Sequence, residues 1–202
     1  MKSIFLMDID TQRDFILPSG AWHLPGAERL IPKMRRLFDF ARRNDVSIIS
    51  TAQARSAADP GFREFPAHCV VGTEGQRKID DTLLPRPMTL ENRPIDRNLG
   101  ELVRKHQQII VQKDQFDPFA NPVTERLLRV LPPHAILFGV PLEHSVKSAC
   151  LGLRRMGIKT ALVTDASGSL SKNSGETALA EMKRVGAEFT TVEALLAALQ
   201  GG

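Results

Sequence analysis

Residues 135–164 read AILFGVPLEHSVKSACLGLRRMGIKTALVT and contain the clearest strand–helix–strand pattern in the chain. A β-type apolar run at 135–140 is followed by a helical pattern at 145–156, whose apolar residues share one face, and by a second β-type run at 160–164. Gly157 stands where such a helix would end. This order predicts two parallel strands joined by a helix through a right-handed connection.

The same alternation continues on both sides of this unit. Further β-type runs lie at residues 4–9, 46–51, 108–111 and 188–191. Further helical patterns lie at residues 27–43, 174–185 and 192–199. Strands that alternate with helices of this length predict an α/β fold, in which a Rossmann-like, six-stranded and mainly parallel sheet lies between helices in three α/β/α layers.

One segment, residues 53–98, interrupts the alternation. It holds several prolines and shows little periodicity, and a loop of this length within a domain is usually functional or disordered. Its aromatic residues and His68 argue against disorder. Because no linker, repeat or low-complexity tract divides the chain, we expect a single domain over residues 1–202.

Composition argues against several classes of function. The formal net charge of +4 is small, and the densest arginine pairs fall within predicted helices, so we expect no nucleic-acid partner. No apolar run is long enough for a signal peptide or a membrane span, so we expect a cytoplasmic protein without a membrane partner. Cys69 and Cys150 form no CxxC pair, which argues against a zinc ribbon or a redox motif.

Polar residues follow several of the predicted strands directly. Because ligands of open parallel sheets bind beyond the carboxyl ends of the strands, these residues should meet at one edge of the sheet. They are Asp10, Gln53, Lys113, Ser145 and Asp165. An acid in such a place is often only a helix N-cap, which accounts well for Asp165. It accounts poorly for Asp10, Lys113 and Ser145 together, and these three are our candidate catalytic residues.

Four segments, in order along the chain, resemble motifs of the isochorismatase-like family, which includes nicotinamidases and other cysteine amidohydrolases. Residues 10–15, DTQRDF, are similar to its Asp-x-Gln-x-Asp-Phe opening, and residues 65–75, FPAHCVVGTEG, to its Pro-x-His-Cys-x-x-Gly-Thr-x-Gly loop. Residues 111–119, VQKDQFDPF, match its lysine strand. Residues 139–146, GVPLEHSV, match its Gly-Val-Ala-Thr-Asp-x-Cys-Val nucleophile turn. The resemblance covers nearly the whole chain and implies a small-molecule hydrolase.

The resemblance also implies a catalytic triad of Asp, Lys and Cys. Asp10 and Lys113 occupy the first two positions, but Ser145 occupies the third. Cys150 lies five residues later on the apolar face of the helix, so we expect a core residue there. A serine, unlike a thiol that ionises easily, needs a base that takes its proton during attack. Asp10 is the natural candidate and a neutral Lys113 is the alternative, whereas His144 is disfavoured because adjacent helix positions point apart.

The metal site of the family is incomplete in this chain. Nicotinamidases of the family bind a divalent metal through an Asp-x-His pair and a later His. Here the pair reads Gln53-Ala54-Arg55 and only His68 remains, so we regard the site as vestigial and expect neither a metal nor a cofactor. Glu64 could add a ligand, but Arg55 would repel a cation. Arg55 either contacts an anionic group of the substrate or forms a surface salt bridge.

The remaining candidates belong to the expected substrate pocket. The resemblance implies a bend at Val140–Pro141 with a cis peptide, after which the amides of residues 141–145 would form an oxyanion hole. We expect the substrate to contact Gln12, Phe15, Arg55, Phe119, Pro141 and Leu142.

Two hypotheses about function follow. In the first, the chain is a hydrolase that cleaves either an amide C–N bond through Ser145 or a vinyl ether with Asp10 and Lys113, in which case Ser145 is a bystander. In the second, the chain has lost catalysis and keeps the pocket for ligand binding or assembly. Retention of Asp10 and Lys113 favours the enzyme. We also expect a homo-oligomer, a dimer or a tetramer, whose other partner is a small-molecule substrate.

Overall fold

The strands of the computed structural model, which describes residues 3–200, form one sheet of seven strands. They are β1 (Phe5–Ile9), β2 (Ile48–Gln53), β3 (Met88–Leu90), β4 (Gln108–Lys113), β5 (His134–Gly139), β6 (Lys159–Ser167) and β7 (Glu188–Thr190). Every pair is parallel, and the spatial order is β3-β4-β2-β1-β5-β6-β7. The predicted parallel α/β fold is therefore confirmed. Residues 1, 2, 201 and 202 of the expected domain lie outside the described residues.

Helices connect the strands and cover the sheet. They are α1 (Arg13–Ile16), α2 (Ile31–Arg43), α3 (Leu99–Lys105), α4 (Thr124–Leu128), α5 (Lys147–Arg155), α6 (Lys172–Arg184) and α7 (Val192–Gln200). Short 3-10 turns lie at Ala27–Leu30, Pro60–Arg63, Asp80–Thr82 and Pro118–Ala120, and a π-helical turn at Leu142–Val146. Between residues 3 and 200, none of the helices has the length and apolar character that crossing a membrane requires.

The structure corrects the prediction in the segment at residues 53–98. That segment contains the seventh strand, β3, which pairs with β4 so that Met88 lies opposite Ile109. A strand of three residues is too short to show a period in the sequence, so pairing with its neighbour defines it. A second correction concerns the helix predicted at 145–156, because α5 begins only at Lys147 and the residues before it form the π-helical turn.

Two hydrophobic cores lie on the two faces of the sheet, and β1 contributes to both. Phe5, Met7 and Ile9 belong to the core that packs against α5 and α6. Leu6 belongs to the opposite core, which packs against α2 and α7. Because β1 is buried along its whole length at the centre of the sheet, it fixes the position of whatever follows its carboxyl end. Cys150 is fully buried in the first core, where the sequence places a core residue.

The ends of β1 and β5 approach each other closely. Gly139, the last residue of β5, has φ +126°, and a Cβ atom there would lie 2.1 Å from the carbonyl oxygen of Ile9. Only glycine has both the backbone freedom and the absence of a side chain that this contact demands. The glycine therefore allows the turn after β5 to lie beside Asp10, the residue that follows β1.

Candidate active site

Asp10, Lys113 and Ser145 meet at the carboxyl edge of the sheet, where the sequence predicts them. Asp10 follows β1, Lys113 ends β4, and Ser145 lies in the turn after β5. The Nζ atom of Lys113 lies 2.7 Å from Asp10 Oδ2 and 3.2 Å from Ser145 Oγ. All three side chains are 0% exposed, so a substrate can reach Ser145 only after neighbouring side chains move.

Both oxygens of the Asp10 carboxylate are held by hydrogen bonds. The Thr51 hydroxyl donates to Oδ1 at 2.6 Å, and the Gln53 side-chain amide donates to Oδ2 at 3.1 Å. The backbone of Asp10 has φ +49°, a left-handed conformation that aspartate tolerates better than most residues. Its amide donates to Thr51 Oγ1 at 3.2 Å. The position of the carboxylate is thus defined by two side chains of β2 together with Lys113 of β4.

Burial and charge act in opposite directions on the Asp10–Lys113 pair. Burial alone raises the pKa of Asp10, but the Lys113 ammonium and the nearby hydroxyls outweigh it, so the pKa lies below its usual value. Burial lowers the pKa of Lys113, although the Asp10 carboxylate partly opposes this effect. Asp10 is therefore a carboxylate at neutral pH and able to accept a proton. Lys113 donates a hydrogen bond to Ser145 Oγ. The Ser145 hydroxyl therefore does not donate to Lys113, and its own hydrogen is available for another acceptor.

The turn that carries Ser145 follows a cis Val140–Pro141 peptide. Hydrogen bonds within this turn occupy some of the amides that were expected to form an oxyanion hole. Pro141 has no N–H, the Leu142 amide donates to the Gly168 carbonyl at 2.8 Å, and the His144 amide donates to the Pro141 carbonyl at 3.3 Å. Of residues 141–145, Pro141, Leu142 and His144 are therefore poor candidates to bind a substrate oxygen through their amides.

Arg55 forms a second buried ion pair, which neither alternative drawn from the sequence describes. Its Nε lies 3.1 Å from Asp59 Oδ2 and its Nη2 lies 3.2 Å from Asp59 Oδ1. The Arg55 side chain is 7% exposed, so this is no surface salt bridge. Because the guanidinium already binds a carboxylate in bidentate fashion, it is also not free to bind one from a substrate.

The residues at the vestigial metal site do not fit a divalent ion. Gln53 Oε1 accepts from Arg55 Nη1 at 3.2 Å, so a fixed cation already lies beside the position that a metal would need. His68 lies 3.1 Å from the same oxygen through Nε2 and 2.6 Å from the Pro66 carbonyl through Nδ1. Among residues 3–200, no group of three His, Cys, Asp or Glu side chains is placed to hold a metal. The Gln53 oxygen that would face a metal is thus already occupied by Arg55 and His68.

Several predicted substrate contacts serve the fold instead. The Gln12 amide is occupied on both sides, since it donates to the carbonyls of Gln53 and Gln76 at 2.8 and 2.7 Å and accepts from the Gln53 amide at 2.7 Å. The Phe119 ring lies against Gly152 of α5. Leu142 is part of a hydrophobic core. The side chains of Gln12, Phe119 and Leu142 are thus all engaged in contacts within the fold.

An aromatic cluster lies next to these residues and was missed by sequence reasoning. It consists of Phe15, Trp22, Phe62, Phe65, His68, Phe116 and His144. The rings of Phe116 and His144 stack with centroids 4.5 Å apart, and Trp22 lies 4.5 Å from His68. The cluster holds four of the ten Phe and the single Trp. The concentration of these aromatic residues in segments without periodicity is the sequence feature from which the cluster could have been predicted.

Neither cysteine can supply the thiolate that the family uses. Burial, followed by the Asp10 and Asp14 carboxylates, raises the pKa of the Cys69 thiol well above its usual value. Burial raises the pKa of the Cys150 thiol to about 11. Both side chains are fully buried thiols at neutral pH. Ser145 is therefore the only one of these three nucleophilic side chains that is both hydrogen-bonded to Lys113 and close to Asp10.

Comparison with known proteins identifies relatives of the chain and of its fold. A family model of the isochorismatase domain matches residues 5–194. An isochorismatase-like hydrolase from Alkaliphilus metalliredigens superposes with a TM-score of 0.79 and 22% identity, covering 98% of this chain and 100% of that one. Pyrazinamidase of Pyrococcus horikoshii, solved in complex with zinc, gives a TM-score of 0.78 and 23% identity over 94% and 99%.

A third solved structure is an amidase that is named for a substrate other than pyrazinamide. N-carbamoylsarcosine amidase from Thermoplasma acidophilum superposes with a TM-score of 0.72 and 17% identity, covering 95% of this chain and 97% of that one. At these identities the solved structures show a shared fold. No curated protein matches the chain by sequence.

Proposed function

The chain belongs to the isochorismatase family, and on that premise we propose that it hydrolyses an amide C–N bond of a small molecule with Asp10, Lys113 and Ser145. The observation that carries the proposal is the position of Lys113 Nζ, which donates to Asp10 Oδ2 and to Ser145 Oγ at the same time. A buried ammonium that joins a carboxylate to a hydroxyl is typical of a nucleophile with its base. The amidases among the structural neighbours support this choice of bond.

The proposed reaction proceeds through an acyl-enzyme. Ser145 Oγ attacks the carbonyl carbon while its proton passes to the Asp10 carboxylate, and Lys113 holds both groups in place. The C–N bond then breaks, and the leaving amine takes the proton from Asp10. A water molecule, deprotonated by Asp10, attacks the acyl carbon and releases the carboxylic acid, and the proton returns to Ser145. The lowered pKa of Asp10 keeps the side chain ionised, and so ready to accept a proton, in the resting enzyme.

Vinyl-ether hydrolysis is the other reaction open to the same residues. It would use Asp10 as an acid, with Ser145 as a bystander. Because Lys113 holds the pKa of Asp10 low, the protonated form that this reaction needs is scarce at neutral pH. We therefore favour the amide.

An inactive protein that binds a small ligand or serves in assembly is the second candidate function. The observation in its favour is that a serine, in place of the thiol, lies fully buried beside its partners. A serine is harder to activate than a cysteine. The retention of the Asp10–Lys113 pair favours the enzyme over this candidate.

Substitutions of Ser145 test the proposal. Against a panel of small amides, Ser145→Ala should lower kcat about 10³-fold or more, because the attacking oxygen is lost. Ser145→Cys should keep or raise the amidase activity, because a thiolate there has a cation beside it. Ser148→Ala, a serine on α5 outside the site, is the control and should leave kcat unchanged. Mass spectrometry of the quenched reaction should show the acyl group on Ser145.

The outcomes separate the candidates. If Ser145→Ala keeps its activity on vinyl ethers and Asp10→Asn loses it, the isochorismatase reaction replaces the amidase reaction. If the parent turns over neither class but shows ligand-induced thermal shifts that Lys113→Met abolishes, the binding function replaces both.

We further propose that the protein is a cytoplasmic, single-domain homo-oligomer that acts on its substrate without a cofactor. Light scattering coupled to size-exclusion chromatography should give a mass of two or four chains, and a mass of one chain would refute the oligomer.

A further inference from the structure

The side chain of Gln53 lies between two buried ion pairs. Its Nε2 atom is 3.1 Å from Asp10 Oδ2, and its Oε1 atom is 3.2 Å from Arg55 Nη1. Asp10 pairs with Lys113, and Arg55 pairs with Asp59. Gln53 itself is 0% exposed. One amide therefore connects the candidate catalytic carboxylate to a guanidinium on the other side.

Three groups contact this amide, because His68 Nε2 also lies 3.1 Å from Gln53 Oε1. The imidazole can donate or accept according to its tautomer, so the orientation of the amide is determined by the two charged neighbours. A carboxylate oxygen of Asp10 only accepts hydrogen bonds, and the guanidinium of Arg55 only donates them. A flipped amide would place its oxygen against Asp10 and its NH₂ group against Arg55, which loses both hydrogen bonds. The amide dipole of Gln53 is thus fixed with its positive end toward Asp10, and this orientation follows from the hydrogen-bond partners rather than from shape.

The guanidinium that fixes the amide is itself immobilised. Asp59 binds it through two nitrogens, and its central carbon lies 5.4 Å from the Phe62 ring centroid and 5.6 Å from that of Phe116. Gly61 makes room for it, because a Cβ atom there would lie 2.6 Å from Arg55 Nη2. Such a guanidinium has little freedom to turn toward a ligand, so its main effect is on the groups that it touches.

We propose that Gln53 is a positioning residue for Asp10 and that the clamped Arg55 guanidinium takes the place that a divalent metal would need in this site. The Arg55 guanidinium, a cation that belongs to the chain itself, then holds the neighbouring polar groups of the site in place. Lys113, Asp10, Gln53, Arg55 and Asp59 form a row in which positive and negative groups alternate, with the amide dipole at its centre. The catalytic consequence rests on the proposed hydrolase function, whereas the coupling of Gln53 to Asp10 and Arg55 does not.

Nuclear magnetic resonance of the resting protein tests the coupling without a substrate. In the parent, the side-chain amide of Gln53 should give one set of slowly exchanging signals that shift as Asp10 titrates. In Arg55→Met, which removes the charge and the donor, the amide should exchange at least tenfold faster or show two orientations. Arg55→Lys keeps a donor and should restore part of the protection. An unchanged Gln53 amide in Arg55→Met would overturn the proposal.

The effect on catalysis is tested with two matched glutamines. Gln53→Leu should lower kcat at least tenfold with little change in KM, and should move the acid limb of the pH profile upward because the Asp10 carboxylate loses a donor. Gln108→Leu is the control, since Gln108 is 1% exposed and its amide bonds to Ser50, Thr82 and Leu84. Both variants should melt at a lower temperature, but only Gln53→Leu should change the pH profile. Equal pH profiles in the two variants would mean a merely structural role.

Zinc chloride alone serves as the last probe. Calorimetric titration of the parent should show no stoichiometric binding, because the guanidinium repels a cation. Binding of about one zinc per chain that is lost in His68→Ala would show that the site accepts a metal and would overturn the proposal. This result does not depend on whether a substrate has been found, so it separates a failure of this inference from a failure of the proposed function.

Discussion

Three histidines lie in surroundings that favour the neutral imidazole. For His68, His134 and His144, burial is the main cause of a pKa below the usual value of about 6.5. Nearby carboxylates oppose the shift in each case without reversing it. In the unfolded chain these imidazoles return to their ordinary pKa, so between the folded and unfolded values the unfolded state binds more protons.

The stability of the protein should therefore fall as the pH is lowered below about 6.5. The contribution of these three histidines to the free energy of unfolding is fully present above their unfolded pKa. It is lost as the pH falls toward their folded pKa values. His144→Phe keeps a ring that can stack on Phe116 but cannot take up a proton, so it should flatten the decline between pH 7 and pH 5. Melting temperatures measured across this range provide the test. The same slope in parent and variant would contradict the assignment.

Among the elements, α5 lies in close contact with the turn at Pro118–Ala120. A Cβ atom at Gly152 would lie 1.9 Å from the ring of Phe119, so the absence of a side chain at Gly152 allows this ring to pack against the helix. The α5 helix follows directly on the turn that holds Ser145. Phe119 therefore contributes to the site at least indirectly, by anchoring the helix that follows Ser145.

Two helical glycines should respond in opposite directions to alanine. Gly152→Ala should destabilise the fold by about 1–3 kcal/mol, because overpacking outweighs the gain in helix propensity. Gly100→Ala in α3, whose nearest heavy atom would be 3.4 Å away, should stabilise it by up to about 1 kcal/mol. Urea denaturation gives both values. If Phe119→Leu fails to relieve the cost of Gly152→Ala in a double-mutant cycle, the clash is not the cause.

For the molecule as a whole, β1 joins the two cores that lie on opposite faces of the sheet. Its odd-numbered residues Phe5, Met7 and Ile9 pack into one core, and Leu6 packs into the other. Neither core can lose its packing without disturbing this strand. The two layers should consequently unfold as one cooperative unit.

Calorimetry should show a single transition whose calorimetric and van't Hoff enthalpies agree. Leu37→Ala in α2 and Leu153→Ala in α5 each empty a fully buried position, in different cores, and each should cost about 2–5 kcal/mol. Both should shift the whole transition to lower temperature. A second transition that appears in only one of the variants would show that the cores melt independently.

The alternation of strands and helices was sufficient to predict the parallel sheet, and the strand ends were sufficient to predict where Asp10, Lys113 and Ser145 would meet. Both predictions depend on periods and on a rule about sheet edges. The three-residue strand β3 has no period of its own and exists through its pairing with β4.

The hydrogen-bond and ion-pair partners of individual polar side chains could not be predicted from the periodicity of the sequence. Gln12 looks like a substrate contact until its hydrogen bonds to Gln53 and Gln76 are seen, and these join residues that are 41 and 64 positions apart. Arg55 looks free in the sequence, although Asp59 is only four residues away, because the short turn between them, closed by the Asp59 amide and the Ser56 carbonyl, has no helical signature. Long-range contacts and irregular turns carry the information that periodicity lacks.

The central position of β1 has a consequence for how the chain is made. β1 leaves the ribosome first among the strands, yet its neighbour β5 begins only at His134. Until β5 has been made, one edge of β1, which carries Asp8 among four apolar residues, is thus open to other nascent chains, a state that favours aggregation. The contacts that close the sheet span long sequence separations, such as the 103 residues between Asp10 and Lys113, and loop closure of this kind slows folding. The catalytic candidates therefore come together only late, after translation has passed Ser145, and protection of the growing chain by a chaperone matters more for this topology than for one built from local hairpins.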